Sequence, residues 1–255
     1  MRQITDFSAL SAAISAQLRP GLVTNCTLTG DALRREIAAG ALYAVDWTGG
    51  LLLFRRREGF WILNYYCHGD ESLPPVDWPS PTILERVLRP RDGAGDGERW
   101  QEAGFVPLFT RIRMQRSAGG AEELPPPPPV SPEEAERLLR TCFDRESGCL
   151  PDRETLAEDC AQSRILTRRD GGGALIALLR AQPQRTGTEL RQLAVIPEHR
   201  GEGLADSLTG EFTRRFGGKN ATVWVREDYA APQHIYVKNG FAPDGWRADV
   251  MIRKG

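Results

Sequence analysis

Glu189-Leu190-Arg191-Gln192-Leu193-Ala194-Val195-Ile196-Pro197-Glu198-His199-Arg200-Gly201-Glu202-Gly203-Leu204-Ala205 is the most informative segment of this chain. A branched, apolar run stops at Pro197, a short polar turn with two glycines follows, and from Leu204 an amphipathic run through Leu208 and Phe212 has helical spacing. Glycines at such a turn let successive backbone N–H groups converge. The first turn of a helix adds donors that no carbonyl of its own accepts, with a partial positive charge. Strand, glycine turn and helix start in that order suit a pyrophosphate.

Downstream, 221–226 reads as a strand, 233–238 as a helix and 248–252 as a last strand, while Gly217-Gly218 ends the helix that begins at Leu204. Upstream, Ser131-Pro132-Glu133-Glu134 is a capping box with proline at the first helical position, and Ala135, Leu138, Leu139 and Cys142 then line one face. A short helix over 152–159 and strands over 164–168, 174–181 and 188–196 complete this half. Strict alternation along the last of these strands puts Glu189, Arg191, Leu193 and Val195 on one face.

Five consecutive prolines, Pro125 to Pro129, break the composition over 117–130 and favour an extended rod that neither helix nor sheet absorbs. The expected organisation is therefore a domain over 1–116, a linker over 117–130 and a domain over 131–255. The first half opens with two helices, over 6–18 and 31–39, and a three-stranded meander over 42–47, 51–57 and 60–67. A proline-bounded helix near 82–88, a glycine-rich connecting loop over 92–97, a short helix over Trp100 and a strand over 106–115 follow. The element order repeats that of the second half. Trp100, Gly104, Phe105 and Met114 recur as Tyr236, Gly240, Phe241 and Met251, so an internal duplication is expected.

The whole chain of 255 residues sits where two domains of ordinary size become the better expectation, and 40% hydrophobic side chains suffice for real cores. Lys and Arg number 33 against 34 Asp and Glu, a balance without the positive footprint of a nucleic-acid binder. No apolar run approaches the ~20 residues of a bilayer span, so no membrane partner is expected and the chain reads as soluble and cytoplasmic. Cysteines at 26, 67, 142, 149 and 160 form no C-x-x-C pair and read as buried thiols. The three histidines, 68, 199 and 234, have no ligand spacing, so no metal site is expected.

The run Arg200 to Ala205 fits the Q/R-x-x-G-x-G/A motif of the GCN5-related N-acetyltransferases, and Leu193-Ala194-Val195-Ile196-Pro197 resembles that family's fourth strand. Strand, helix, Tyr236, Gly240-Phe241 and final strand over 220–253 are similar to the rest of its pattern, so the resemblance covers most of 131–255. It implies a mixed α/β fold of two tandem domains, each a mixed, mostly antiparallel sheet flanked by helices. It also implies acetyl-CoA as co-substrate between the strands over 188–196 and 221–226. Backbone amides of Arg200, Gly201, Glu202, Gly203, Leu204 and Ala205 would hold the pyrophosphate, and main-chain groups at Leu193, Ala194 and Val195 the pantetheine arm.

The implied activity is N-acetyl transfer, or transfer of a short acyl group, to a primary amine of a small molecule or peptide, by direct attack in a ternary complex. An attacking amine must lose a proton, since an alkylammonium has a pKa of ~10.4, and the departing thiolate benefits from an acid. By resemblance Tyr236 is the acid and Glu189 the base, with Glu227 and Asp228 as reserve candidates. A non-catalytic acyl-CoA-binding regulatory module is the alternative reading. Two positions depart from the family pattern: Tyr229 stands where an asparagine is common and Pro232 where an alanine is. The first half has no arginine-glycine turn and offers Trp100 where a phenol would donate, so it reads as a non-catalytic copy, the whole behaving as a monomer with domains paired as in a dimer.

Overall fold

A computed structural model describes residues 1–68, 72–90, 97–144 and 150–255. The glycine-rich stretch expected over 92–97, apart from Gly97, and Cys149 lie outside them. The strands in chain order are β1 (Arg2–Gln3), β2 (Leu22–Thr24), β3 (Leu42–Trp47), β4 (Gly50–Arg57), β5 (Phe60–His68), β6 (Thr82–Leu88), β7 (Val106–Arg116), β8 (Ile165–Arg169), β9 (Leu175–Gln184), β10 (Gly187–Val195), β11 (Asn220–Arg226) and β12 (Ala242–Arg253). The helices are α1 (Phe7–Gln17), α2 (Gly30–Ala38), α3 (Gly97–Glu102), α4 (Pro132–Cys142), α5 (Arg153–Ala161), α6 (Leu204–Phe216) and α7 (Ala230–Lys238). Among the described residues no helix is long and apolar enough to cross a membrane.

Two compact units emerge, but not at the proline run. Residues 1–110 with 247–255 form unit 1, and residues 111–246 form unit 2. In unit 2 the sheet runs β7, β11, β10, β9, β8, with only β10 and β11 parallel. In unit 1 it runs β12, β6, β5, β4, β3, β1, with only β5 and β6 parallel. The five strands of unit 2 correspond in order to β12, β6, β5, β4 and β3 of unit 1, β1 being additional, and each unit takes its outer strand from the other half of the sequence. Met114 on β7 is buried in the unit 2 core with Val223 and Phe241, and Met251 on β12 in the unit 1 core with Trp100 and Phe105. The side chain of Arg116 lies over Gly240, and that of Arg253 over Gly104.

Residues 117–130 are held to unit 2 by hydrogen bonds from Gly119 N–H to Gly217 C=O (2.7 Å), from Glu122 N–H to Arg214 C=O (2.8 Å) and from Arg215 Nη2 to Pro125 C=O (2.7 Å). The segment expected as an extended linker is thus strapped to unit 2. The capping box at α4 forms as expected, the Ser131 hydroxyl accepting from Glu134 N–H and the Glu134 carboxylate from Ser131 N–H. Arg169 also donates to that carboxylate, at 2.8 Å.

β1 and β2 lie outside the elements expected from sequence, and one expected element changes type. Residues 82–88, expected as a helix, are β6, paired in parallel with β5 through Trp61↔Thr82, Ile62↔Ile83 and Leu63↔Leu84. Thr82, Ile83 and Val87 are β-branched, and burial of the first three strand residues between neighbouring strands outweighs helix propensity.

Candidate active site

In unit 2, β10 pairs with β9 on one side and β11 on the other, and the two partnerships change at one point. The parallel pairing with β11 ends at Leu190↔Val223. The register with β9 shifts between Leu190↔Ala181 and Gln192↔Arg180, leaving Arg191 as the extra residue of a β-bulge. Beyond it β10 continues along β9 alone, so the sheet splays open between β10 and β11. Ile196 N–H donates to Ile176 C=O across β9. By alternation Ala194 also turns its main chain to β9, whereas Leu193 and Val195 point theirs into the splay.

The bulge reverses the side-chain alternation. Leu190, with Ala181, lies on the face covered by α6 and α7, and Leu193 and Val195 lie there too. Gln192 and Ala194 face α4 and α5. Glu189, opposite Gln182, therefore sits on the α4–α5 face, and the expectation that it shares a face with Leu193 and Val195 is not met. Its carboxylate accepts from Arg191 Nη1 at 2.7 Å and from Gln184 Nε2 at 3.0 Å.

Past Pro197 a single turn of 3-10 helix leads into Arg200-Gly201-Glu202-Gly203. Gly201 and Gly203 have φ of 88° and 78°, and beyond their own chain neighbours nothing lies within 4 Å of where a Cβ would stand at either. This left-handed backbone is what glycine permits and other residues resist. Gly203 caps α6 with no side chain accepting from the first turn. Ser207 N–H donates to Gly203 C=O, and Arg200 N–H to Pro197 C=O. Arg200 reaches back, its Nε donating to Val195 C=O at 3.3 Å. The carboxylate of Glu202 is drawn aside to His199 Nδ1 at 3.1 Å. Open space, uncapped helical donors and left-handed glycines together form a concave main-chain surface fit for an anion.

Tyr236 on α7 is 5% exposed and belongs to the apolar cluster that Leu193, Val195 and Leu204 flank. Burial holds its phenol protonated well above the usual range. Its ring meets Phe241 edge to face at 5.9 Å, and Phe241 N–H donates to Tyr236 C=O at 3.0 Å. Tyr236 and Glu189 thus lie on opposite faces of β10. Gln233 Nε2 ties the start of α7 to Arg226 and Glu227 C=O, both at 2.9 Å, while Asp228 is paired with Arg226. Tyr229, in the place of the family's asparagine, is half exposed with the Arg226 guanidinium 4.3 Å from its ring. Among the described residues no group of three or more His, Cys, Asp or Glu could hold a metal ion.

Unit 1 shows the same splay filled by its own chain. Pairing of β5 with β6 ends at Leu63↔Leu84. There Asn25 Nδ2 donates to Leu63 C=O (3.0 Å) and Glu85 C=O (2.9 Å), while Asn25 Oδ1 accepts from Tyr65 N–H (2.8 Å). β2 then pairs with the freed edge of β5, through Leu22↔His68, Val23↔Cys67 and Thr24↔Tyr66. Residues 72–81 contain no helix to match α6. Trp100 is fully buried, 4.9 Å from Tyr65, in the place that Tyr236 has in unit 2. The absent glycine turn was visible in sequence. The plug at Asn25 was not, because nothing local marks residues 22–25 as a partner for residues 66–68.

The FR47-like protein family matches residues 168–248, from β8 to the early part of β12. No curated protein sequence matches the chain. Among solved structures, a GCN5-related N-acetyltransferase from Sphaerobacter thermophilus is similar with a TM-score of 0.53 at 13% identity, over 99% of this chain and 94% of the other. A GNAT-family acetyltransferase from Colwellia psychrerythraea gives 0.54 at 13% identity, over 100% and 99%. A tandem GNAT protein from the clavulanic acid biosynthesis pathway gives 0.51 at 12% identity, over 83% of each chain. At such identities the likeness is one of fold.

Proposed function

We propose that unit 2 transfers an acetyl or short acyl group from acyl-CoA to a primary amine, a reading supported by the likeness of fold to GCN5-related N-acetyltransferases and by the FR47-like match over residues 168–248. The observation that carries this reading is the freed edge of β10 beside the open, uncapped start of α6. Main-chain groups of Leu193 and Val195 pair with the amides of the pantetheine arm as a further strand would. Amides of the Gly201–Gly203 turn and the first turn of α6 take the pyrophosphate. The thioester then lies at the mouth of the splay, between the two faces of β10.

The amine approaches from the α4–α5 face, where Glu189 receives its proton through water. Nitrogen attacks the thioester carbon, the tetrahedral intermediate collapses, and the C–S bond breaks. Tyr236, held neutral by burial on the opposite face, donates its proton to the leaving sulfur, and the second proton lost by the acylated nitrogen passes to water, from which the phenol is reprotonated. The engagement of both Glu189 oxygens by Arg191 and Gln184 is the one feature that favours the rival reading of a binding module without turnover. A thiol-release assay with acetyl-CoA over amines, amino acids, aminoglycosides and peptides decides between them. Turnover with at least one acceptor is expected, and tight binding with no thiol release on any would leave only the module.

A further inference from the structure

Beneath the splay lies a buried ionic group that the chemistry above does not use. Arg180 on β9 and Asp159 on α5 have side chains only 4% and 3% exposed, and Arg180 Nε donates to Asp159 Oδ2 at 2.5 Å. Arg180 Nη1 donates to Gln192 Oε1 at 3.0 Å, and Asp159 Oδ1 accepts from Arg164 at 3.1 Å. Ala135, Leu138, Leu156, Ile165, Leu178 and Ala194 supply the apolar part of this layer, and Glu189 stands on the same face of β10. A buried ion pair of this kind contributes little net stability over apolar residues of the same size, and its best-attested use is to specify register.

Its position says which register. Gln192↔Arg180 is the first pair after the bulge, and Leu190↔Ala181 the last before it. Without the bulge, Arg191 would stand opposite Arg180, setting a second guanidinium against one whose side chain is only 4% exposed. With it, Arg191 passes to the surface and Gln192, an acceptor, meets Arg180. A slip of one residue would also carry Leu193 and Val195 to the other face and turn their main-chain groups away from the splay.

We infer that Asp159, Arg180 and Gln192 are positioning residues that lock β10 in its bulged register and so aim Leu193 and Val195 at the acyl carrier. The inference rests on reading the splay as the acyl-CoA groove, but the register itself is measured without ligand. The double variant Asp159→Leu/Arg180→Met replaces the pair with apolar residues of similar size, which conserves stability. Cross-strand NMR contacts between β9 and β10 are expected to place Gln192 opposite Arg180 in the wild type and to show a mixed or unbulged register in the variant. The Kd for acetyl-CoA should weaken at least tenfold, with KM rising in proportion and kcat at saturation within about threefold. A bulge that persists unchanged in the variant, or an unchanged Kd, overturns the inference. Should the double variant not fold, Gln192→Leu takes its place in both measurements, and an unchanged bulge or Kd there overturns the inference equally. If the wild type binds no acetyl-CoA, the proposed function fails, while the NMR register still decides the lock.

Discussion

Tyr236 joins two properties that rarely meet, near-complete burial and a position beside an open splay, and the first raises its pKa. A phenol so held stays protonated across the working pH range, ready to donate. Tyr236→Phe is expected to lower kcat about 100-fold, within the usual range for a lost general acid, while the Kd for acetyl-CoA stays within twofold. An unchanged kcat would remove the acid role. For Glu189 the informative variable is pH. Glu189→Gln should lower kcat/KM about tenfold at neutral pH and progressively less as the pH nears the ~10.4 at which the amine is neutral unaided. A deficit that is the same at both ends would mean that Glu189 serves only its pairing with Arg191. Tyr236 was legible because it stands at a fixed spacing from Gly240 and Phe241. Arg180 left a fainter mark, a lone charge inside Leu175–Gln184, which signals a buried partner without saying which.

Among the elements, α4 shows how a local motif becomes a tertiary anchor. Hydrogen bonds from Arg169, with a lesser share from Ser131, lower the pKa of Glu134 to about 2. A depressed pKa stabilises the fold above the unfolded value of 4.5 and loses that contribution as pH falls through about 2. The Arg169 pair is the larger cause, but both partners are about a third exposed, so solvent screens much of what it contributes to stability. Glu134→Gln, which keeps an acceptor for the capping box, should cost under about 1 kcal/mol at pH 7 in urea unfolding, and the difference from wild type should shrink steadily below pH 4.5. The plug of β2 and Asn25 acts at the same scale. Since it takes the edge of β5 that β10 leaves free, one mole of acetyl-CoA should bind per mole of chain by calorimetry. Gly203→Val, which forces a branched residue into left-handed backbone, should abolish that single site. Two sites per chain, or one that survives in Gly203→Val, would place a ligand in unit 1.

For the molecule as a whole, the exchange of outer strands decides what can fold alone. A fragment of residues 131–255 lacks the strand that pairs with β11 through Ala221↔Arg116 to Arg226↔Arg111, and it lacks Met114 from the unit 2 core. It also carries Val250, Met251 and Ile252, which are buried in unit 1, with nothing to cover them. Exposed apolar residues and a bare strand edge favour aggregation. The fragment 111–246 keeps its outer strand and its strap. It should melt cooperatively as a monomer, and 131–255 should not, as circular dichroism and gel filtration would show. A cooperative melt for 131–255 would mean that the outer strand is dispensable.

Close neighbours along the chain suffice for the capping box at Ser131, the glycine turn before α6, the meander of β3 to β5 and the duplicated aromatic-glycine-phenylalanine turns. Each rests on residues a few positions apart, and local sterics and hydrogen bonding specify it before any distant contact forms. Four features needed the folded chain: residues 82–88 become a strand, β7 and β12 change units, Asn25 closes one splay, and a bulge at Arg191 opens the other. Each of these depends on pairing residues far apart in sequence. For such pairings the competing local preferences are nearly equal, and the burial gained across the sheet settles the outcome.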